Sequence, residues 1–253
     1  MKHAQANTTR YGPWLVQLCL VVWLIVPASV LARQTLVLNT AFTAPLSNDQ
    51  NTGFVDIVVR EALARIGYDL ETVRLPAERA LINANAGIDD GDLLRIAGLQ
   101  GIYPNLVQVP ERIIGLEFVV FTRQEELRVD DWEDLAPLSV AIITGWKILE
   151  RSIPDSTHLT TVKNVDQLFT LLARDRVDAV VYSRRVGLGY LARHDIRRVR
   201  LLEPPLNRRD MYVYLHRKHQ HLVPKLAAAL RAMKADGSYQ RAYQRILAPL
   251  DRR

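Results

Sequence analysis

Cysteine is nearly absent from this 253-residue sequence, since Cys19 is the only one. A chain that lost the N-terminal segment around it would have neither a disulfide nor a thiol nucleophile. The HExxH, GxSxG and P-loop motifs are also missing, which removes three well-known catalytic and phosphate-binding signatures. His216, His219 and His221 do not share one helix face at i, i+4, which disfavours a metal site. We therefore predict no catalytic residue, no metal and no cofactor.

Long hydrophobic runs are missing as well, apart from the segment Trp14–Val26. Lys2 and Arg10 precede it without any acid, and the small-residue segment Pro27–Ala32 follows it. This order predicts a secretory signal peptide over residues 1–32, cleaved near Ala32, and a periplasmic mature protein. The alternative is an uncleaved membrane anchor, which is disfavoured because the apolar core is too short to span a bilayer comfortably.

The charge is moderately basic and concentrated late in the chain. The formal charge of +6 becomes +4 when Lys2 and Arg10 are removed with the signal peptide. Much of the excess comes from the arginines between residues 184 and 209: Arg184, Arg185, Arg193, Arg197, Arg198, Arg200, Arg208 and Arg209. An exported protein rarely meets nucleic acid, so we expect no nucleic-acid partner and favour a solvated face or one that meets a membrane partner.

The rest of the chain alternates short apolar runs with amphipathic segments, which predicts an α/β fold with parallel sheets covered by helices. The predicted strands are 35–39, 68–75, 93–97, 115–122, 138–143, 159–162, 178–182, 199–202 and 211–215. The predicted helices are 53–66, a short one from 77, 130–135, 144–151, 164–172, 186–192 and a final helical segment over 222–246. Residues 103–110 are predicted to form a loop or an edge segment.

Two arginines stand where a cation costs free energy. Arg79 lies in the first turn of a predicted helix, where it opposes the helix dipole, and Arg95 lies inside a predicted buried strand. A nearby anion would explain both, and a bound ligand is one source of such an anion. Salt bridges to neighbouring acids are the alternative, and the candidates are Glu78, Asp89, Asp90 and Asp92.

Four ordered segments resemble the bacterial periplasmic solute-binding proteins of family 3, the polar amino-acid-binding type of ABC transporter. The segments are GFVDIVVREALARIGYDLETV, DWEDLAPLSVAIITGW, NVDQLFTLLARDRVDAVVYS and DGSYQRAYQRIL. The resemblance covers about residues 34–248. It departs from the transport members between residues 76 and 111, where Arg95 and a YPNL segment replace their T-x-x-R element, so the chain resembles a divergent subgroup.

The resemblance implies the type II periplasmic-binding fold: two α/β lobes, each a mostly parallel sheet flanked by helices, around a ligand cleft. Residues 33–119 and 211–253 would form a discontinuous first lobe, and residues 120–210 the second. Two chain crossings near Phe121 and Arg209 would form the hinge, and ligand would close the lobes. It also implies a monomer that binds a small-molecule solute and meets a membrane permease or sensor.

The expected ligand-binding residues are Phe42, Glu78, Arg79, Arg95, Gly145, Trp146 and Ser183. The turn at Gly145 and Trp146 follows a strand and opens a helix, which favours an anion, although a simple N-cap is the alternative. Phe42 follows the first strand, where family members place an aromatic side chain, and packing is its alternative role. Ser183 occupies the position at which amino-acid-binding members carry an aspartate for the ligand's ammonium.

Two functions from different classes remain open. The first is a binding protein for an anionic or zwitterionic solute, either an amino acid or an organic acid. The second is an enzyme on the same fold, dehydratase-like, with Glu78 and Glu111 as acid and base. The binding role is favoured because catalytic signals are few.

Overall fold

The computed structural model describes residues 33–250 and the single residue His3. The predicted signal peptide, including Cys19 and the proposed cleavage point, otherwise lies outside the described residues. Among those that are described, no helix combines the length and the apolar character needed to cross a membrane.

Ten strands and seven α-helices alternate along residues 34–246. The strands are β1 (Gln34–Thr40), β2 (Tyr68–Arg74), β3 (Gly91–Ile96), β4 (Leu106–Gln108), β5 (Ile114–Thr122), β6 (Ser139–Ile143), β7 (His158–Val162), β8 (Ala179–Ser183), β9 (Arg200–Leu201) and β10 (Asn207–His216). The α-helices are α1 (Phe54–Arg65), α2 (Ala77–Ala86), α3 (Lys147–Ser152), α4 (Val165–Ala173), α5 (Arg184–Arg193), α6 (Val223–Ala235) and α7 (Ser238–Ile246). Short 3-10 turns cover Leu99–Gly101, Glu133–Leu135 and Arg217–Leu222.

The strands form one curled, mixed sheet in the order β2-β1-β3-β10-β5-β8-β6-β7, with β4 beside β10 and β9 beside β5. β1 is parallel to both β2 and β3, and β6 is parallel to both β7 and β8. β5 and β10 are antiparallel to each other and join these two parallel sets, from the pair Asn207–Phe118 to the pair Met211–Ile114. The α/β fold class is confirmed.

Local sequence signals explain why several elements form where they do. The strand β3 is buried on both faces, as expected of an almost continuous apolar run. The helix α4 begins at the N-cap Asn164, whose Oδ1 atom accepts from the Gln167 N–H at 2.9 Å. Gln167 Oε1 in turn accepts from the N–H of Lys163, the residue before the cap, at 2.9 Å. Gly67 ends the α1 region with a positive φ of 87°.

Three elements differ in detail from the sequence expectation. The acidic segment 130–135 forms only the 3-10 turn Glu133–Leu135, and the segment 103–110 contains the short strand β4. The final helical segment is divided into α6 and α7, because Gly237 between them has a φ of +78°. The lobe boundaries expected at residues 119–120 and 210–211 stay a prediction.

Candidate functional site

A small cavity lies where the ends of several strands meet α2 and the first residues of α3. Its volume is about 30 Å³, and its lining includes Phe42 after β1, Arg95 on β3, Phe118 on β5, and Trp146 and Lys147 at the β6–α3 turn. Such a volume holds only about two water molecules. Four of the seven expected ligand-binding residues therefore line one cavity: Phe42, Arg95, Gly145 and Trp146.

Aromatic rings form one wall of this cavity. The ring of Trp146 lies 5.2 Å from that of Phe42, 5.9 Å edge-on from that of Phe118 and 4.7 Å from that of Tyr182, measured between centroids. Trp146 and Phe42 are 6% and 4% exposed. Both therefore pack against neighbours and face the cavity, so the packing role and the wall role considered for them from the sequence coexist.

Gly145 brings the β6–α3 turn against the beginning of α2. Its φ is +87°, and a Cβ atom at this position would lie 2.3 Å from the Glu78 backbone nitrogen. Only glycine satisfies both conditions, because other residues rarely adopt this φ and no side-chain atom fits in that space. The Gly145 N–H donates to Glu150 Oε1 at 2.5 Å. The turn at Gly145 was predicted to favour an anion, and its N–H already donates to a carboxylate of the protein itself.

Lys147 carries the main charged network of the cavity. Its ammonium lies 2.6 Å from Glu78 Oε2 and 2.9 Å from Glu150 Oε2, and the Tyr103 hydroxyl donates to Glu78 Oε1 at 2.9 Å. Burial lowers the pKa of Lys147, but the hydrogen bonds to the two carboxylates outweigh it and raise the pKa above its usual value. Burial likewise raises the pKa of Glu78, and the bonds from Lys147 and Tyr103 bring it below the usual value. Glu78 and Lys147 are therefore both ionised near neutral pH.

Arg95 is buried and ion-paired within its own strand. Its Nε donates to Asp92 Oδ2 at 2.7 Å and its Nη2 donates to the Ala77 carbonyl at 3.0 Å. The salt-bridge alternative weighed from the sequence is therefore present, with Asp92 as the partner. Arg95 also lines the cavity, and within residues 33–250 its Nη1 has no hydrogen-bond acceptor. The same side chain can hold Asp92 and still offer a donor to a ligand.

The other expected site residues lie in three different environments. Glu78 belongs to the Lys147 network beside the cavity. Arg79 is exposed and is not part of the cavity lining within residues 33–250. Ser183 is 1% exposed at the start of α5, and its Oγ has no hydrogen-bond partner among the described residues. Ser183 does not line the cavity, but it pairs across the sheet with Phe118, which does.

Sequence reasoning missed three residues that shape the site: Lys147, Glu150 and Tyr103. Lys147 and Glu150 are spaced i, i+3 directly after the marked turn, so a charge-pair search there would have found them. Tyr103 gave no such signal, because its contact with Glu78 joins residues that are distant in the chain.

The residues considered for catalysis are separated. Glu111 pairs with Lys234 and Arg231 on α6 and does not line the cavity that Glu78 borders. His219 pairs with Asp90 at 2.7 Å. Across residues 33–250, no three side chains of the ligating types gather into a group that could hold a metal ion.

Comparisons with known proteins agree on the fold. No family model matches the chain. An uncharacterised protein of Shewanella oneidensis is 26% identical over 210 residues, which cover 78% of this chain and 77% of that protein. An ancestral arginine-binding protein bound to arginine superposes with a TM-score of 0.73 at 18% identity, covering 85% of this chain and 99% of the other.

Two further solved structures show the range of proteins with this fold. The GluR0 ligand-binding core from Nostoc punctiforme, in complex with L-glutamate, has a TM-score of 0.72 at 19% identity and covers 84% of this chain and 99% of the other. An ancestral amino-acid-binding protein, a precursor of cyclohexadienyl dehydratase, has a TM-score of 0.69 at 19% identity, with 84% and 95% covered. The chain therefore has the two-lobed α/β fold of periplasmic amino-acid-binding proteins.

Proposed function

We propose that this chain is a periplasmic solute-binding protein that captures a small carboxylate solute, an amino acid or an organic acid. The solute would be presented to an ABC-type permease or to a membrane sensor. Residues 33–119 with 211–253 would form one lobe and residues 120–210 the other, with the cavity between them. A cavity of about 30 Å³ is smaller than such a solute, so binding requires its walls to move apart and close again.

The observation that carries this proposal is the convergence of two cations on an aromatic-walled cavity. Arg95 lies on β3 and Lys147 is the first residue of α3, and both line the same cavity as Phe42 and Trp146. Guanidinium and ammonium groups are the donors that proteins use for carboxylates, and a low-dielectric wall strengthens these bonds. A carboxylate that displaced Glu78 or Glu150 from Lys147 would find a preformed partner.

We further propose that the solute is held mainly through its anionic end. Ser183 stands at the position where amino-acid-binding members carry an aspartate, and a hydroxyl cannot neutralise a buried ammonium. Glu78 is the acid placed to compensate, because it borders the cavity, but Lys147 already pairs with it.

A thermal-shift screen of amino acids, organic acids and short peptides tests the binding role. A true ligand at 100 times its dissociation constant should stabilise the folded protein by about 2.7 kcal/mol. The matched controls are the amides of each hit, which keep the size and lose the charge. Equal shifts for acid and amide, or no shift for any carboxylate, would contradict the proposal.

Export is proposed with the binding role. The intact mass of protein recovered from the periplasm should correspond to a chain that begins at Arg33 or within a few residues of it. We also expect a monomer without a nucleic-acid partner. A full-length, membrane-retained protein would contradict the export proposal.

An enzyme is the second candidate, because one amino-acid-binding protein with this fold is described as a precursor of a dehydratase. Each ligand found by thermal shift is incubated with the protein and then analysed by mass spectrometry. This experiment distinguishes a binding protein from an enzyme. Recovery of unchanged solute supports binding, and loss of water from the solute supports the enzyme.

A further inference from the structure

A second concave surface lies away from the cavity, on the paired strands β5 and β10. We call it the arginine groove; its lining includes Arg112, Arg185, Arg208 and Arg209 together with Glu117 and Asp210. Its volume is about 470 Å³, and it shares no lining residue with the cavity near Lys147. The proposed function makes no use of this surface.

The groove has more positive than negative charge. Asp210 pairs with Arg112 at 3.1 Å, and Glu117 pairs with Arg208 at 3.1 Å while also accepting from Arg184 outside the lining. Arg209 is exposed and forms no ion pair with any residue of the described range 33–250. Arg185 bonds to the Gly115 carbonyl and to the Tyr243 hydroxyl, and it is left out of the charge balance. The other three guanidinium groups of the lining face two carboxylates, one of which is shared with Arg184. Exposed ion pairs contribute little to the stability of a folded protein, so stability does not explain why these arginines lie together.

The floor of the groove is backbone. Gly115 lies opposite Asp210 in the β5–β10 pairing, and its carbonyl accepts from Arg185 Nη1 at 3.4 Å. A Cβ atom at Gly115 would lie 3.6 Å from Asp210 Oδ1 and 4.0 Å from Arg112 Nη1. A larger side chain would therefore grow toward the Arg112–Asp210 pair, and glycine keeps that space open.

We propose that the arginine groove binds a multivalent oxyanion with phosphate chemistry, either a free diphosphate or a phosphorylated lipid headgroup. The planar fork of a guanidinium group matches two oxygens of a phosphate, and several forks around one concave floor suit an anion that offers more than one such pair. Anion binding in the arginine groove does not depend on solute binding in the cavity, so the two can be tested separately.

Calorimetric titration of inorganic pyrophosphate into the purified protein tests the site, at low ionic strength and again at physiological salt. We expect saturable binding with one site per chain. Arg209→Gln should weaken it about tenfold, the loss expected for one charge-assisted contact. Arg197→Gln is the matched control, because Arg197 is exposed, pairs with Asp195 and lies outside the groove while carrying the same charge. That variant should bind as the wild type does.

Gly115→Val gives a second, charge-neutral variant that fills the floor. The folded Gly115→Val protein should lose pyrophosphate binding. If this variant unfolds, Arg209→Gln still tests the proposal, because it changes an exposed side chain. Flotation with vesicles that contain phosphatidic acid, whose phosphomonoester has two ionisable oxygens, against vesicles of phosphatidylcholine alone, identifies the source of the phosphate. Binding to the former alone assigns a headgroup, and binding of pyrophosphate alone assigns a free anion. No saturable binding in either arm, or equal losses in Arg209→Gln and Arg197→Gln, would overturn the proposal.

Discussion

The two strand-to-helix turns that follow β6 and β8 occupy adjacent positions in the sheet but have different surroundings. At the first, Gly145 adopts a positive φ, its N–H is capped by Glu150, and Lys147 joins two carboxylates beside the cavity. At the second, Ser183 is buried with an unpartnered hydroxyl. The next residue, Arg184, pairs with Glu117 and Glu203 instead of facing the cavity.

This difference shows how charge is divided between the cavity and the arginine groove. The first turn concentrates its charge beside the aromatic wall, where a ligand carboxylate would compete with Glu78 and Glu150. The second turn contributes no carboxylate to the cavity, and its Arg185 lines the arginine groove. A weak contact with a ligand ammonium is expected because Ser183 supplies no carboxylate there.

The largest expected effect comes from filling the space at the first turn. Gly145→Ala should destabilise the protein by about 2–5 kcal/mol, since a left-handed backbone costs about 1–2 kcal/mol and overpacking against α2 about 1–3 kcal/mol more. Gly67→Ala is the matched control, with the same φ of +87° and no atom within 4 Å of its added Cβ. Urea unfolding measures both. Equal losses would mean that α2 yields to the new methyl group.

The next effect concerns the cation of the first turn. Lys147→Met should weaken solute binding by about 1.5–3 kcal/mol, the value of a charge-assisted hydrogen bond, which is about 10- to 100-fold in the dissociation constant. Lys225→Met, at an exposed position on α6, is the control. Replacing Arg95 is a poorer test, because it leaves Asp92 buried and unpaired at a cost of about 3–5 kcal/mol. Unchanged affinity in a folded Lys147→Met protein would remove this turn from the site.

A smaller effect is expected in the pH dependence of stability. The folded-state pKa of Glu78 lies below its usual value of 4.5, so its ionised form stabilises the protein above that pH. That contribution is lost as the pH falls through the lowered pKa. Melting temperatures of the wild type and of Glu78→Gln, compared between about pH 3 and pH 6, should converge on acidification. A difference that stays constant over this range would mean that the Lys147 network does not hold Glu78 ionised.

The smallest effect is expected at the second turn. Ser183→Ala should change the free energy of unfolding by less than about 0.5 kcal/mol or stabilise the protein, because the hydroxyl it removes has no partner. Thr122→Val is the comparison: its buried hydroxyl donates to the Asp178 carbonyl at 2.7 Å and accepts from the Gln124 N–H at 3.1 Å. That variant should lose about 1 kcal/mol or more. Weaker solute binding by Ser183→Ala would place Ser183 in the site.

The order of elements was largely predictable because it depends on local patterns. The apolar run of β3, the amphipathic face of α1 and the Asn164–Gln167 cap of α4 are each visible within one short window of sequence. The antiparallel pairing of β5 with β10 was not predictable, because the two strands lie far apart in the sequence. No local pattern specifies which distant strands pair.

The site was predictable in part for the same reason. Gly145, Trp146 and Phe42 lie next to strand ends, so their approach to one another follows from the topology. The pairing of Lys147 with Glu78 does not, because Glu78 lies on a different helix, α2. Arg79 and Arg95 gave equal signals as cations in costly positions, yet one is exposed and the other buried; the difference depends on the orientation of α2 relative to β3. Ligand binding by Arg79 stays a prediction.

Calorimetry with matched ligand pairs is the most direct test of the central claim that a solute is held through its anionic end beside Lys147. Each pair consists of an amino acid and its deaminated analogue, chosen from the best hits of the thermal-shift screen. We expect the deaminated acid to bind as tightly as the amino acid or more tightly, because Ser183 offers no charge to an ammonium group. Much tighter binding of the amino acid would contradict the account and would show that a carboxylate, with Glu78 the first candidate, serves the ligand's ammonium.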